Sequence, residues 1–200
     1  MANTTLDKAG AGALISGAVA ASALMLHHPT SLHGPDDGQL LADWPNATVH
    51  GAMVVCLFAF ALGGTALVKR LGRDRPTVVS GGLAFNGAIA AFVTAALING
   101  FAMPAAPEAA GALRALNQTL ATFGLLGMGL ATGAFAVPML TRGTMARLAA
   151  APGLLMFVAA PVWALTSGGH FGLHAATASM GLFAIWALAT GAWLLKEDTP

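Results

Sequence analysis

The chain has 200 residues, of which 56% are hydrophobic and only 8% are charged. Soluble domains carry roughly a quarter charged residues, so this composition excludes an ordinary soluble domain. The formal net charge of +1 offers no basic surface for a nucleic-acid partner. The only cysteine, Cys56, excludes an intrachain disulfide. The sequence therefore predicts an integral membrane protein that forms a single domain over residues 1–200.

Six apolar segments follow one another along the chain, and each approaches the roughly 20 residues that a spanning helix needs. They are predicted at Gly10–Leu26, Val49–Val68, Val78–Phe101, Thr119–Leu140, Pro152–Thr166 and Leu173–Leu195. Helices are expected because an open strand edge leaves unpaired backbone groups in lipid. The predicted fold is an all-α bundle of six transmembrane helices.

The connections between these segments carry an asymmetric distribution of basic residues. Eight of the nine basic residues fall on the side that holds both termini, and the opposite side carries Arg114 alone. Basic residues in short connections favour the cytoplasmic side of a membrane. Both termini are therefore expected to be cytoplasmic. In a bacterial inner membrane the opposite side faces the periplasm.

All six histidines are predicted to lie on the periplasmic side, together with a group of aspartates. Three of the histidines and two of the aspartates belong to the stretch HHPTSLHGPDD, which follows the first segment. The histidines and aspartates of this predicted polar site are His27, His28, His33, His50, His170, His174, Asp36, Asp37 and Asp43. Ionisable groups at this depth predict a functional site at the periplasmic end of the bundle.

The motif GGHFGLHAA is the sharpest local signal for metal binding. His170 and His174 are four residues apart, so a helix places both imidazoles on one face. Two neutral imidazoles in this arrangement can share a zinc ion when further ligands come from elsewhere. His50 and one residue of the pair His27 and His28 are expected to supply them. Successive helical positions diverge by about 100°, so only one of that pair faces inward.

Carboxylates and amides near the histidines are candidates for supporting roles. Asp36, Asp37 or Asp43 is expected to act as a general base or to accept a hydrogen bond from an imidazole N–H. Asn99 and Gln118 are predicted at the same depth, where they would line the pocket.

Other features of the apolar segments predict packing. Asn86 lies in the middle of the third segment and is interpreted as a hydrogen-bonding contact between helices. Gly129 and Gly133 form a GxxxG pattern, for which packing within the bundle is favoured over dimerisation. The methionines are scattered along the chain and are interpreted as packing residues.

The arrangement of these polar residues resembles that of a membrane hydrolase superfamily, which comprises the alkaline ceramidases, the adiponectin-receptor-like proteins and haemolysin III. The residues that carry the resemblance are Ser22, His27, Asp43, His50, His170 and His174. It implies that three histidines bind zinc and that a zinc-activated water attacks a lipid amide. Asp43 would be the base or orienting group, and Ser22 would contact the oxyanion or the water. The chain departs from the superfamily in having six segments instead of seven.

Three functions remain open from the sequence. The first is a zinc-dependent hydrolase that acts on a lipid amide or ester. The second is an accessory subunit of a larger membrane complex, in which the histidines ligate haem or another tetrapyrrole. The third is a transition-metal transporter, which a histidine and aspartate cluster also suits. No ionisable residue is predicted at mid-membrane depth, and this disfavours transport. The expected partners are membrane lipids and, for the second function, other membrane subunits.

Overall fold

The computed structural model describes residues 5–28, 44–166 and 173–196, with the backbone alone for residues 173–175. The described residues form helices and turns and contain no strand. Six helices are long and apolar enough to cross a membrane. They are α1 (Thr5–Leu26), α2 (Asn46–Leu71), α3 (Pro76–Leu97), α4 (Ala110–Leu140), α5 (Thr144–Thr166) and α6 (Leu173–Leu195). The predicted all-α fold with six spanning helices is confirmed.

Several helices begin earlier than the apolar segments predict. Helix α4 begins at Ala110 instead of Thr119, and α5 begins at Thr144 instead of Pro152. Hydropathy detects only the apolar part of a helix, whereas the backbone hydrogen bonds continue into the polar flanks. The structure therefore includes Pro152 and Pro161 inside one continuous α5.

Helix α3 ends in an irregular region on the histidine side of the bundle. A π-helical segment, Ile98–Ala102, follows α3 and is succeeded by a short helical turn, Met103–Ala105. The 3-10 turn Pro107–Ala109 then leads into α4. Single π-helical turns inside α-helices are frequent at functional sites. This one brings Asn99 and Gly100 against the first turns of α2.

The six helices form a closed ring. Each helix packs against its neighbours in the sequence, and α6 completes the ring by packing against α1. Asp7, Arg70 and Lys196 meet at one end of the ring, which we call the terminal end. His28 and His50 meet at the opposite end, which we call the histidine end.

An aromatic cluster fills the centre of the ring toward the terminal end. Its ring centroids are separated by 4.8 to 6.5 Å, in edge-on, tilted and stacked arrangements. Helices α2, α3, α4 and α6 contribute its members, which are Phe60, Phe85, Phe135, Phe183 and Trp186. Such contacts between rings stabilise a core beyond the area that they bury.

The glycine pattern of α4 serves packing within the bundle, as the sequence predicts. A Cβ atom on Gly129 would lie 2.8 Å from the Cβ of Ala160, and one on Gly133 would lie 2.8 Å from Phe157. Only the absence of a side chain lets α4 approach α5 this closely. Close approach of backbones is a main source of helix association in a membrane.

A buried ion pair joins α1 and α2 at the terminal end and also contacts α6. Nη1 of Arg70 lies 3.4 Å from Oδ2 of Asp7, and the two side chains are only 2% and 4% exposed. Nη2 of Arg70 donates a hydrogen bond to the carbonyl of Lys196 at 3.0 Å. The guanidinium groups of Arg70 and Arg142 lie 5.7 and 6.0 Å from the centre of the Trp193 ring. Favourable contacts to the buried charge of Arg70 thus come from Asp7 on α1, from Trp193 on α6 and from the carbonyl of Lys196 at the end of α6.

Candidate functional site

A cavity of about 470 Å³ occupies the centre of the ring on the histidine side of the aromatic cluster. Phe60 and Phe183 of that cluster border it, and all six spanning helices contribute to its wall. It reaches the surface beside Pro104, Pro107 and Arg114, which are exposed. Sites for small molecules have volumes of about 300 to 1,000 Å³, so this cavity is large enough to hold a ligand.

Methionine is the most distinctive residue of the cavity wall. Six of the nine methionines of the chain line it, one from each of the six spans: Met25, Met53, Met103, Met128, Met156 and Met180. A methionine side chain is unbranched and flexible, and surfaces rich in methionine adapt to ligands of different shape. Their interpretation as scattered packing residues therefore missed their convergence, which only the ring of helices produces.

Two histidines meet at the polar end of the cavity. The rings of His28 and His50 have centroids 5.0 Å apart and an interplanar angle of 73°. His50 is only 6% exposed, and its Nδ1 lies 2.9 Å from the carbonyl oxygen of Asn46. A carbonyl oxygen accepts hydrogen bonds only, so Nδ1 carries the proton and donates it. Nε2 of His50 therefore carries the lone pair, which a metal ion or a hydrogen-bond donor can use.

Two asparagines extend this polar end. Nδ2 of Asn46 donates a hydrogen bond to the carbonyl oxygen of Asn99 at 2.8 Å and so ties α2 to the π-helical segment. The Oδ1 atoms of both asparagines are buried and accept no hydrogen bond from the described residues. Burying an unpaired acceptor costs about 1–3 kcal/mol, so a complementary donor or cation would bind favourably here. We call His28, Asn46, His50 and Asn99 the mouth cluster.

A glycine lets the mouth cluster assemble. A Cβ atom on Gly100 would lie 2.6 Å from the Cβ of His50, closer than real Cβ atoms approach. The π-helical segment can therefore lie against α2 beside His50 only with glycine at this position.

The structure distinguishes the two consecutive histidines after α1. The ring of His27 stacks on Trp44 with a centroid separation of 4.3 Å and an interplanar angle of 8°. The backbone N–H of Trp44 also donates to the carbonyl of His27 at 3.1 Å. His28 lines the cavity beside His50, so it is the member of the pair that faces inward.

The other predicted site residues divide into those placed at the cavity, those placed elsewhere and those outside the described residues. Asn99 and Gln118 line the cavity, and Ser22 is half-buried on α1 but is not part of the lining. His174 lies in the first turn of α6, but its side chain is not described. The predicted residues outside the described part of the chain are His33, Asp36, Asp37, Asp43 and His170. Within the described ranges, no three metal-ligating side chains of the types His, Cys, Asp and Glu form a group.

Four polar residues of the wall were not predicted as site residues: Asn46, Arg114, Asn117 and Ser179. Asn46 begins α2 one helical turn before His50. Residues with this spacing lie on the same side of a helix, so the sequence could have predicted that Asn46 lies next to His50. Arg114 lies on the first turns of α4, in a region that hydropathy assigns to a connection.

The hydrogen bond between helices predicted for Asn86 is not formed within the described part of the bundle. The side chain of Asn86 is exposed on the outer surface of α3 and makes no hydrogen bond with the described residues, so it does not connect helices inside the bundle.

In comparisons with known proteins, no protein-family model, curated protein or solved structure matches this chain. The resemblance to the membrane hydrolase superfamily therefore stays a prediction.

Proposed function

We propose that this integral membrane protein holds a lipid-like amphiphile in the cavity, with its polar head at the mouth cluster and its apolar chain directed toward Phe60 and Phe183. One observation supports this most directly. The imidazole, amide and guanidinium groups of the wall lie toward the histidine end, whereas the phenylalanines and most of the methionines line the deeper part, together with Ser179. Ligand sites combine an apolar wall with a few convergent polar groups in this way.

The mouth cluster favours a head group that donates hydrogen bonds. Oδ1 of Asn46 and Oδ1 of Asn99 are acceptors and not donors, and Nε2 of His50 is a third acceptor when no metal ion is bound to it. An amide N–H or a hydroxyl group next to an acyl chain would satisfy them. Arg114 at the exposed edge of the cavity adds a positive charge that suits an anionic or strongly polar group farther out. Lipid amides therefore fit the site better than simple hydrocarbons.

A transition-metal ion is the second part of the proposal. Nε2 of His50 carries a lone pair, and the ring of His28 is near enough to contribute to the same site. His170 and His174 would supply the remaining ligands of a zinc ion, since neutral imidazoles are typical zinc ligands. Bound zinc would supply Lewis-acid chemistry at the polar end of the cavity. The protein would then be a zinc-dependent hydrolase of a lipid amide or ester, with its site on the periplasmic face of a bacterial inner membrane.

Transport of the metal ion through the bundle has less support. Among the described residues, the buried polar side chains between His50 and Arg70 along the membrane normal are Thr132, Ser179 and Thr190. None of these is ionisable, whereas ion pathways through membranes are marked by ionisable side chains. The aromatic cluster also fills the ring on the far side of the cavity.

Blocking the cavity tests the lipid proposal. Ala121 on α4 is half-buried and lines the cavity, and Ala115 on the same helix is exposed outside it. We expect Ala121→Phe to lower the amount of co-purified amphiphile by at least tenfold, because the added ring occupies the cavity. Ala115→Phe should leave it unchanged. The measurement is mass spectrometry of organic extracts of the detergent-purified proteins. Equal lipid content in the two variants would contradict the proposal.

Metal analysis tests the zinc part independently. We expect near-stoichiometric zinc in the purified protein and a loss of tenfold or more in His50→Ala, because the substitution removes the ligand nitrogen. His27→Ala is the matched control. His27 stacks on Trp44, so this substitution should leave the zinc content unchanged. A wild-type protein without zinc would refute the metal site and leave lipid binding standing. Iron with a haem absorption spectrum would instead favour the accessory-subunit function.

A further inference from the structure

Asn86 places a polar amide on the lipid-facing surface at the middle of the bilayer. It lies ten residues after Pro76, the first residue of α3. At 1.5 Å per residue it is about 15 Å along the helix, which is half of the roughly 30 Å apolar thickness of a bilayer. An amide exposed to lipid tails at this depth has lost its water and gains no hydrogen bond in return.

Three exposed hydroxyl groups on the outer surface are satisfied locally. The hydroxyl groups of Thr65, Thr94 and Thr166 each donate to the carbonyl four residues earlier, at 2.8 to 2.9 Å. Asn86 makes no such bond in the described structure. The remaining amide side chains of the described residues, Asn46, Asn99, Asn117 and Gln118, all line the cavity at the histidine end. Asn86 is therefore the one amide of the described residues that lies on the outer surface, and it makes no hydrogen bond within the described bundle.

The surface around Asn86 is shaped for a close contact. Ala90 lies one turn after Asn86 on the exposed side of α3, so a second helix can approach the backbone there. Gly82 lies one turn before Asn86 and is half-buried beside Val68 of α2. A second cavity of about 350 Å³ lies beside this face, and its wall includes Gly64 and Thr65 of α2 as well as Asn86 itself. A side chain from a partner helix can enter this space. We call the surface formed by Gly82, Leu83, Asn86 and Ala90 the α3 face.

We infer that the α3 face binds the α3 face of a second copy of this chain, with the two Asn86 amides hydrogen-bonded to each other across a twofold axis. A carboxamide carries both a donor and an acceptor, so two of them pair reciprocally. A twofold interface brings the same residue of each copy to the axis at the same membrane depth. A lipid acyl chain has neither a donor nor an acceptor, so it covers this face without satisfying Asn86.

Cysteine crosslinking at Ala90 tests the interface while it retains Asn86. The background is Cys56→Ala, which removes the single native cysteine. We expect Ala90→Cys to form a disulfide-linked dimer upon mild oxidation in membranes diluted with added lipid. The control is Ile185→Cys, which is 58% exposed on α6, on the side of the ring opposite α3. It lies 12 residues from the start of its helix, also near mid-depth, and should remain monomeric.

Removing the amide then tests its role. We expect Asn86→Leu in the Ala90→Cys background to lower the association constant about tenfold, since hydrogen bonds between membrane helices contribute on the order of 1–2 kcal/mol. The readout is the crosslinked fraction across a series of lipid dilutions. Equal crosslinking of Ala90→Cys and Ile185→Cys would overturn the interface, because both would then report random collision. Unchanged dimerisation in Asn86→Leu would overturn the assigned role of the amide pair.

Discussion

The two halves of the bundle differ in how their interiors are filled. The terminal half is filled by five aromatic side chains and closed by the buried pair of Asp7 and Arg70. The histidine half encloses a cavity of about 470 Å³ with flexible methionines on its wall. The same six helices line both halves, so the difference comes from the side chains that each helix directs inward.

This contrast separates the source of stability from the site of binding. Lipid tails are as apolar as the helices, so a membrane bundle is held by close packing and by polar contacts and not by hydrophobic burial. The terminal half supplies both kinds of contact, through the aromatic cluster and through Arg70. The histidine half can then remain hollow without opening the ring. Functional sites commonly retain groups that lower stability, here two buried and unpaired acceptors.

The largest expected effect compares one substitution in each half of the same helix. Phe135 and Met128 of α4 are separated by seven residues, are 0% and 2% exposed, and point into the filled half and the cavity respectively. We expect Phe135→Ala to lower the free energy of unfolding by about 3 kcal/mol, because it leaves a void among packed rings. Met128→Ala should cost roughly 1 kcal/mol, because that side chain already borders empty space.

Unfolding by denaturing detergent, followed by circular dichroism, measures both values. Similar losses for the two variants would contradict the comparison and would mean that the histidine half is as tightly packed as the terminal half. A larger loss of unfolding free energy for Met128→Ala than for Phe135→Ala would mean that the histidine half is the more tightly packed one.

Much of the fold was predictable from composition alone. Six apolar segments gave six spanning helices, and the alternation of their ends placed the histidines apart from most basic residues. These conclusions depend on segment length and on charge, which are local properties. The position of Pro152 inside α5 was not predicted, because a helix in lipid keeps its backbone hydrogen bonds wherever possible and tolerates proline.

The interior of the bundle was much less predictable. Met25 and Met180 are far apart in the sequence and meet at one cavity only because α6 closes the ring against α1. The choice between His27 and His28 depended on the stack with Trp44, a contact that no spacing reveals. Asn86 was interpreted as a contact between helices because its depth was clear, but its direction around the helix was not. Apolar residues surround these spans on every side, so periodicity carries little information about which face is inward.

A smaller effect on stability than that of Phe135→Ala is expected at the junction between α2 and the π-helical segment. An alanine at position 100 would place its Cβ 2.6 Å from the Cβ of His50, and neither atom is at the end of a flexible side chain. The backbone must shift, and we expect Gly100→Ala to cost about 1–2 kcal/mol, within the range for overpacked interiors. The shift would also separate Asn46 from the carbonyl of Asn99. Amphiphile and zinc content should therefore fall together, although every residue of the mouth cluster is intact.

Gly12→Ala is the control, because nothing lies within 4 Å of its added Cβ on α1. This substitution should be neutral or slightly stabilising. Detergent unfolding and the two content measurements distinguish the outcomes. A Gly100→Ala protein that keeps its ligands would show that the mouth cluster does not need the close approach of the π-helical segment to His50.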